Sequence, residues 1–211
     1  MDTFDLYKDI QCRTNGEIYL GVVGPVRSGK STFIKRFMDV LVLPKMTDEH
    51  AKERTVDELP QSASGKSIMT TEPKFVPKEA AEIQLAKDVS VQVRLIDCVG
   101  YMVEGAAGHM ENGAERLVKT PWNEKEIPFT KAAEIGTKKV IHDHSTIGIV
   151  VTTDGSIGEL PRNSYRAAEK KTIQELKSIG KPFVVLVNTR KPYSAEAKNV
   201  AEEIQKEYQV T

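Results

Sequence analysis

Gly24-Pro25-Val26-Arg27-Ser28-Gly29-Lys30-Ser31-Thr32 decides how this chain folds. Its fixed positions satisfy the pattern G-x-x-x-x-G-K-[ST], a glycine-rich turn that wraps a phosphate group. So short a pattern recurs by chance, and its flanks therefore carry the argument. Before it, Ile18 to Val23 is a β-rich apolar run, as a buried parallel strand requires. After it, Phe33, Ile34, Phe37, Met38, Leu41 and Val42 recur at helical spacing, which predicts a helix from about Lys30 with one apolar face. In that setting the amides along residues 25 to 31 converge on an anion at a helix N-terminus, Pro25 alone bringing no N–H. Gly24 and Gly29 let the backbone approach it without a Cβ in the way. Lys30 is expected to meet the β- and γ-phosphates of a nucleotide, and the Ser31 hydroxyl to hold Mg²⁺.

Around this loop lie 211 residues, enough for one large domain with a continuous core. Thirty basic and thirty acidic residues cancel, so no global field draws the chain to nucleic acid or an anionic membrane. Cys12 and Cys98 stand in no metal-ligand spacing, and a reducing cytosol is their natural setting. No apolar run approaches membrane-spanning length and no basic-then-apolar leader opens the chain, so a soluble cytoplasmic protein is expected.

Along the chain, residues 1–16 read as a polar arm and Pro44 to Glu72 as a long loop. Within that loop Ser64-Gly65-Lys66-Ser67 imitates a second phosphate turn, but Pro60 occupies the place of the leading glycine and no strand precedes it. Lys74 to Val76, Ile83 to Leu85 and Val89 to Ile96 read as strands, the last running into Asp97-Cys98-Val99-Gly100. Residues 101–143 form a long insertion in which Phe129, Ala132, Ala133 and Val140 fit one helical face. A strand over Thr146 to Val151 ends at the turn signal Asp154-Gly155. A helix from about Ser164 to Ile179 follows, capped by Asn163 or Ser164 and stopped by Gly180. The strand Phe183 to Val187 ends at Asn188, and Ser194 caps a last helix with Ala197, Val200, Ala201 and Ile204 on one face. Strands alternating with helices predict an α/β domain whose mostly parallel sheet is covered on both faces, with its site at the strand carboxyl ends.

Asp97, the phosphate loop and Asn188 all fall at such ends. Asp97 opens Asp-x-x-Gly, as the magnesium-side carboxylate of a nucleoside triphosphatase does, and Gly100 is placed to offer its amide to the γ-phosphate. Thr70 and Thr71 are both candidates for the threonine that coordinates Mg²⁺ by its hydroxyl and holds the attacking water by its carbonyl. His142 and His144 alternate on what reads as strand and so could share a face as metal ligands, with no third ligand in view. Glu104 is a candidate to orient water or a surface glutamate, and Arg27 an internal arginine finger, a solvent-facing residue or a filament-interface residue.

The order phosphate loop, threonine pair, Asp-x-x-Gly, base motif resembles the translation-factor-related P-loop GTPases. Two positions depart from that class. Tyr101 stands where signalling GTPases carry a water-positioning Gln, and Asn188-Thr189-Arg190-Lys191-Pro192 replaces Asn-Lys-x-Asp. Lys191 thus removes the acceptor for the guanine N1–H and 2-amino groups. With Arg27 and the threonine pair, these departures resemble the stage IV sporulation protein A family, spore-coat morphogenetic ATPases. The resemblance spans all 211 residues as that family's N-terminal nucleotide domain, and implies a fragment of a longer protein. It implies ATP and Mg²⁺ as ligands, with Asn188 and Thr189 beside the base. It also implies hydrolysis that drives self-assembly into filaments at the surface of the developing spore, with a small membrane-associated recruiting partner and coat proteins. The competing readings are a GTPase with an aberrant base motif, a nucleotide-gated structural module with little turnover, and a P-loop small-molecule kinase.

Overall fold

The computed structural model describes residues 16–60, 71–86, 89–111 and 113–211. The apolar run before the glycine turn is strand β1, Glu17–Val23, and it lies at the centre of the sheet. Beside it run β3 (Val89–Asp97) on one side and β8 (Ile147–Thr153) on the other, both parallel to it. β9 (Phe183–Asn188) extends the sheet in parallel beyond β8, and β2 (Lys74–Ala86) closes the opposite edge antiparallel to β3. The order is β2-β3-β1-β8-β9, an α/β sheet with four parallel strands.

Side chains alternate across this sheet into two cores, as strand geometry demands. Leu20, Val22, Val93, Leu95, Ile149 and Val151 face one side. There they meet Ile34 of helix α1 (Lys30–Phe37) and Leu59, which follows helix α2 (Glu49–Glu58). Val23, Ile96 and Val150 face the other side and pack on Val140, Ile173 and Ile204. These last come from the turn Val140–His144 after helix α3 (Phe129–Lys139), from α4 (Arg162–Ser178) and from α5 (Ala195–Tyr208).

Several elements differ from expectation. Pro44 to Glu72 is not all loop. Asp48 accepts hydrogen bonds from the amides of His50 and Ala51 and so starts α2. The runs Lys74–Val76 and Ile83–Leu85 belong to one strand, whose register shift between Val76 and Ala81 accommodates Pro77 at the sheet edge. α1 passes at Met38 into a π-helical turn ending at Val42; the wider turn rotates the stripe, leaving Leu41 46% exposed while Val42 is buried. α4 begins at Arg162, earlier than expected, because Pro161 presets the entry and Arg162 anchors the first turn through a two-pronged ion pair with Glu169. Gly180, at φ 65°, ends α4 as expected, and Ser194 caps α5 through the Ala197 amide. On α5 the buried stripe runs Ala197, Ile204 and Tyr208, with Ala201 exposed. His142 and His144 lie in the helical turn after α3, not on a strand. His142 pairs with Glu175 at 2.8 Å and His144 packs edge-on against Phe75, so they do not converge on a shared ion.

The insertion at 101–143 is structured. After two short strands, β4 (Met110–Glu111) and β5 (Ala114–Glu115), it forms the hairpin β6 (Leu117–Thr120) and β7 (Asn123–Pro128) and then α3. Phe129, Ala132, Ala133 and Val140 are fully buried on one face, as their spacing predicts. Phe129 joins hairpin to helix: its amide donates to the Arg116 carbonyl and the Arg116 guanidinium stacks 4.4 Å above its ring. Phe129→Ala should therefore lower unfolding stability by about 3–5 kcal/mol in urea titration, the usual cost of emptying a buried aromatic site. A loss below about 1 kcal/mol would show that the insertion is not part of the cooperative unit.

Candidate functional site

The site forms at the carboxyl ends of β3, β1, β8 and β9. The β1–β3 register pairs Val22 with Asp97, so the phosphate loop and the Asp-x-x-Gly turn leave the sheet side by side. They stay together beyond it. The Tyr101 amide donates to the Gly24 carbonyl at 3.2 Å, and the Val26 amide donates to the Tyr101 carbonyl at 2.8 Å. Gly24 (φ 132°), Arg27 (φ 60°) and Gly29 (φ 95°) bend the loop back on itself before α1 starts.

Ser31 and Asp97 meet here. The Ser31 hydroxyl donates to one Asp97 carboxylate oxygen at 2.7 Å, while the other oxygen is buried and takes no well-formed hydrogen bond. Burial pushes the Asp97 carboxyl above the ordinary carboxylate range, against the pull of the Ser31 hydroxyl and the Lys30 ammonium. Lys30 is 5% exposed and donates to the Pro25 carbonyl at 2.6 Å. Burial moves its ammonium pKa down, opposed by the neighbouring Cys98 and Asp97. A carboxylate with a spare oxygen, a hydroxyl beside it and a desolvated ammonium form a cradle for a hard cation and a phosphate chain. These groups fit Mg²⁺: the donors are oxygens, and one of them takes no well-formed hydrogen bond.

Gly100 completes the wall. A Cβ there would lie 2.1 Å from the Gly24 carbonyl oxygen and 2.6 Å from the Lys30 amine, so only glycine lets this turn approach the loop. Tyr101 turns the other way, its 3%-exposed ring committed to the core below α4 with the Lys171 amine 4.6 Å above it. It therefore does not occupy the place of a water-positioning side chain. Arg27 is exposed and donates to the Ala107 carbonyl at 3.1 Å, clasping the segment after Gly100 to the loop. Glu104 and Thr32 are exposed. Thr71 is buried with its carbonyl packed against Gly136 of α3, where a Cβ would come within 2.5 Å of it. That carbonyl is turned to the helix rather than presented to a water. Thr70, like Ser64 to Ser67 and Cys12, lies outside the described residues.

Asn188 joins the site from the far side: its side-chain amide donates to the Ser28 carbonyl at 3.1 Å and so ties β9 to the phosphate loop. A neighbour the sequence reading passed over is Asp154, read there only as a turn signal. Its carboxylate accepts the Ser156 hydroxyl at 2.6 Å and the Thr189 hydroxyl at 2.5 Å, which puts a negative charge beside the Asn188–Lys191 loop. Its position one residue past a parallel strand was the available signal. Gly29 offers a direct probe of this junction, since a Cβ there would fall 2.2 Å from the Asn188 side-chain nitrogen. Gly29→Ala should weaken ATP binding at least tenfold in calorimetry while the folded content by circular dichroism is kept. Parent-like affinity would mean that the Asn188–Ser28 junction is not needed for the nucleotide.

The chain matches the family described as "Stage IV sporulation protein A, ATPase domain" over residues 1–211. It is 57% identical over 206 residues to Stage IV sporulation protein A of Clostridioides difficile (strain 630), covering 98% of this chain and 42% of that protein. The proteins of the same name from Bacillus anthracis and Bacillus subtilis (strain 168) are each 52% identical over 210 residues, covering 100% of this chain and 43% of theirs. The chain thus spans less than half the length of the curated relatives it matches. No helix among the described residues is long and apolar enough to cross a membrane.

Proposed function

The chain belongs to the stage IV sporulation protein A ATPase-domain family, and from that premise we propose that it binds Mg·ATP and hydrolyses it to drive assembly of a spore-coat scaffold. The observation that carries the hydrolytic part is the Ser31–Asp97 contact at 2.7 Å beside the buried Lys30 ammonium. In that reading the 211 residues act as one nucleotide domain of a longer protein. Self-association, a small membrane-associated recruiting partner, coat proteins and a place at the developing spore's surface come from the family resemblance alone.

Chemically, Mg²⁺ when bound supplies positive charge to the phosphate oxygens. The chain supplies the rest. Ser31 and Asp97 would hold the cation, Asp97 with the oxygen that takes no well-formed hydrogen bond. Lys30 exchanges the Pro25 carbonyl for phosphate oxygens, a favourable trade for an ammonium already stripped of water. The amides of Gly29 to Ser31 and of Gly100 would line the phosphate chain, and Thr70 or Thr71 would position the attacking water.

Nucleotide choice follows from the base motif. Guanine brings an N1–H and a 2-amino donor that water satisfies in solution. Lys191, exposed and unable to accept, leaves both unpaired in a closed pocket at about 1–3 kcal/mol each. Adenine presents an acceptor at N1 and one 6-amino donor, and loses less. Phosphate release measured with ATP and GTP at equal concentration and saturating Mg²⁺ should favour ATP clearly, with sedimentable protein appearing only in the ATP sample. Faster release from GTP would overturn the reading of Asn188 to Lys191 as a lost guanine motif. Release without sedimentation would leave the ATPase and remove autonomous assembly.

A further inference from the structure

The Asn188–Lys191 loop is hydrogen-bonded to Asp154 through two hydroxyls. Asp154 follows the end of β8, at the same rim as the phosphate loop. Its carboxylate accepts two hydroxyls, those of Ser156 at 2.6 Å and Thr189 at 2.5 Å, and the Ser156 amide at 2.9 Å. Each hydroxyl, with its proton committed to the carboxylate, is left as an acceptor. Ser156 accepts the Arg190 amide at 3.0 Å, and Thr189 accepts the Lys191 amide at 3.1 Å. Two relays thus run from loop amide through hydroxyl to carboxylate, each polarised by the charge at its end. Asn188, meanwhile, spends a side-chain N–H on the Ser28 carbonyl.

The consequence is a loop whose backbone donors at 190 and 191 are already used. A 6-oxo purine needs a donor at that edge, whereas a 6-amino purine needs an acceptor; with the Asn188 carbonyl taking the Asp154 amide at 3.4 Å and the Lys191 carbonyl the Ser194 amide at 3.0 Å, that acceptor falls to the carbonyls of Thr189 and Arg190. We infer that Asp154, acting through Ser156 and Thr189, is a specificity-determining positioning residue that withdraws the amides of Arg190 and Lys191 from a 6-oxo group and so selects 6-amino purine nucleotides. This rests on the reading of residues 188–191 as the base loop. It goes beyond the loss of the guanine acceptor at Lys191, because it acts on the 6-position and not on N1–H or the 2-amino group.

Inosine triphosphate separates the two effects, since it carries the 6-oxo group without the 2-amino group. The test is calorimetric binding of Mg·ATP, Mg·ITP and Mg-bound inorganic triphosphate to the parent, Ser156→Ala and Asp154→Asn. Ser156→Ala frees the Arg190 amide. The ratio of ITP to ATP affinity should then rise about fivefold to tenfold, the worth of one recovered hydrogen bond, with triphosphate affinity within about twofold of parent. Asp154→Asn, which weakens both relays, should move the ratio the same way. Triphosphate lacks a base, so a parallel fall in all three ligands would mark general damage and would count against a base-specific role. An unchanged ITP-to-ATP ratio in both variants overturns the inference. If Lys191→Asp still raises GTP affinity relative to ATP in that case, the loop does face the base and only the relay is wrong. If it does not, the loop reading itself falls.

Discussion

Parallel pairing between β1 and β3, in the register that sets Val22 opposite Asp97, is the constraint on which the rest of this molecule depends. It brings two segments 66 residues apart in sequence, Ser31 and Asp97, within one hydrogen bond of each other. A slip of one residue would turn Leu95 and Ile96 to the wrong faces of the sheet and carry the carboxylate away from the loop. Both side chains are fully buried, on opposite cores, so the hydrophobic cost of such a slip fixes the register. Burial on two faces thereby sets the geometry of the Ser31–Asp97 contact.

The same rim concentrates groups that a structural domain would avoid. The buried Ser28 hydroxyl, which lacks a partner, and the buried Lys30 ammonium sit two residues apart on the phosphate loop, and the Asp97 carboxylate, with one oxygen taking no well-formed hydrogen bond, meets that loop at Ser31. Desolvated polar groups without partners cost stability, and they gather where a ligand supplies the missing contacts. Three close backbone approaches allow the gathering: Gly24 against the Val151 carbonyl, Gly29 against Asn188 and Gly100 against Gly24. The sheet provides the platform, and the strand ends bring these groups together.

Much of this was legible in sequence because it rests on short-range signals. The phosphate loop, the strand before it, Asp97 at a strand end, the Gly180 stop and the Ser194 cap each announce themselves within a few residues. What escaped depends on weak or long-range terms. α2 buries only Thr55 among its own residues, so it has almost no apolar period to detect, and its sign was the Asp48 cap. β2 looked like two fragments because Pro77 interrupts a strand that an edge position tolerates. Leu41 fits the helical count but sits beyond the change to a wider turn. The hydrogen bonds from Asp154 to the Asn188–Lys191 loop join residues more than thirty positions apart, and only the β8–β9 pairing of Thr153 with Asn188 puts them together.

Everything proposed for this site turns on whether Asp97 serves the cation or the fold. The most direct measurement is phosphate release from saturating Mg·ATP by the parent and by Asp97→Ala, with ATP binding followed in parallel. Removing the carboxylate should cut turnover on the order of 10²-fold or more, the scale of losing one preorganised transition-state contact, while ATP remains bound. Undiminished turnover in Asp97→Ala would contradict the account at its centre.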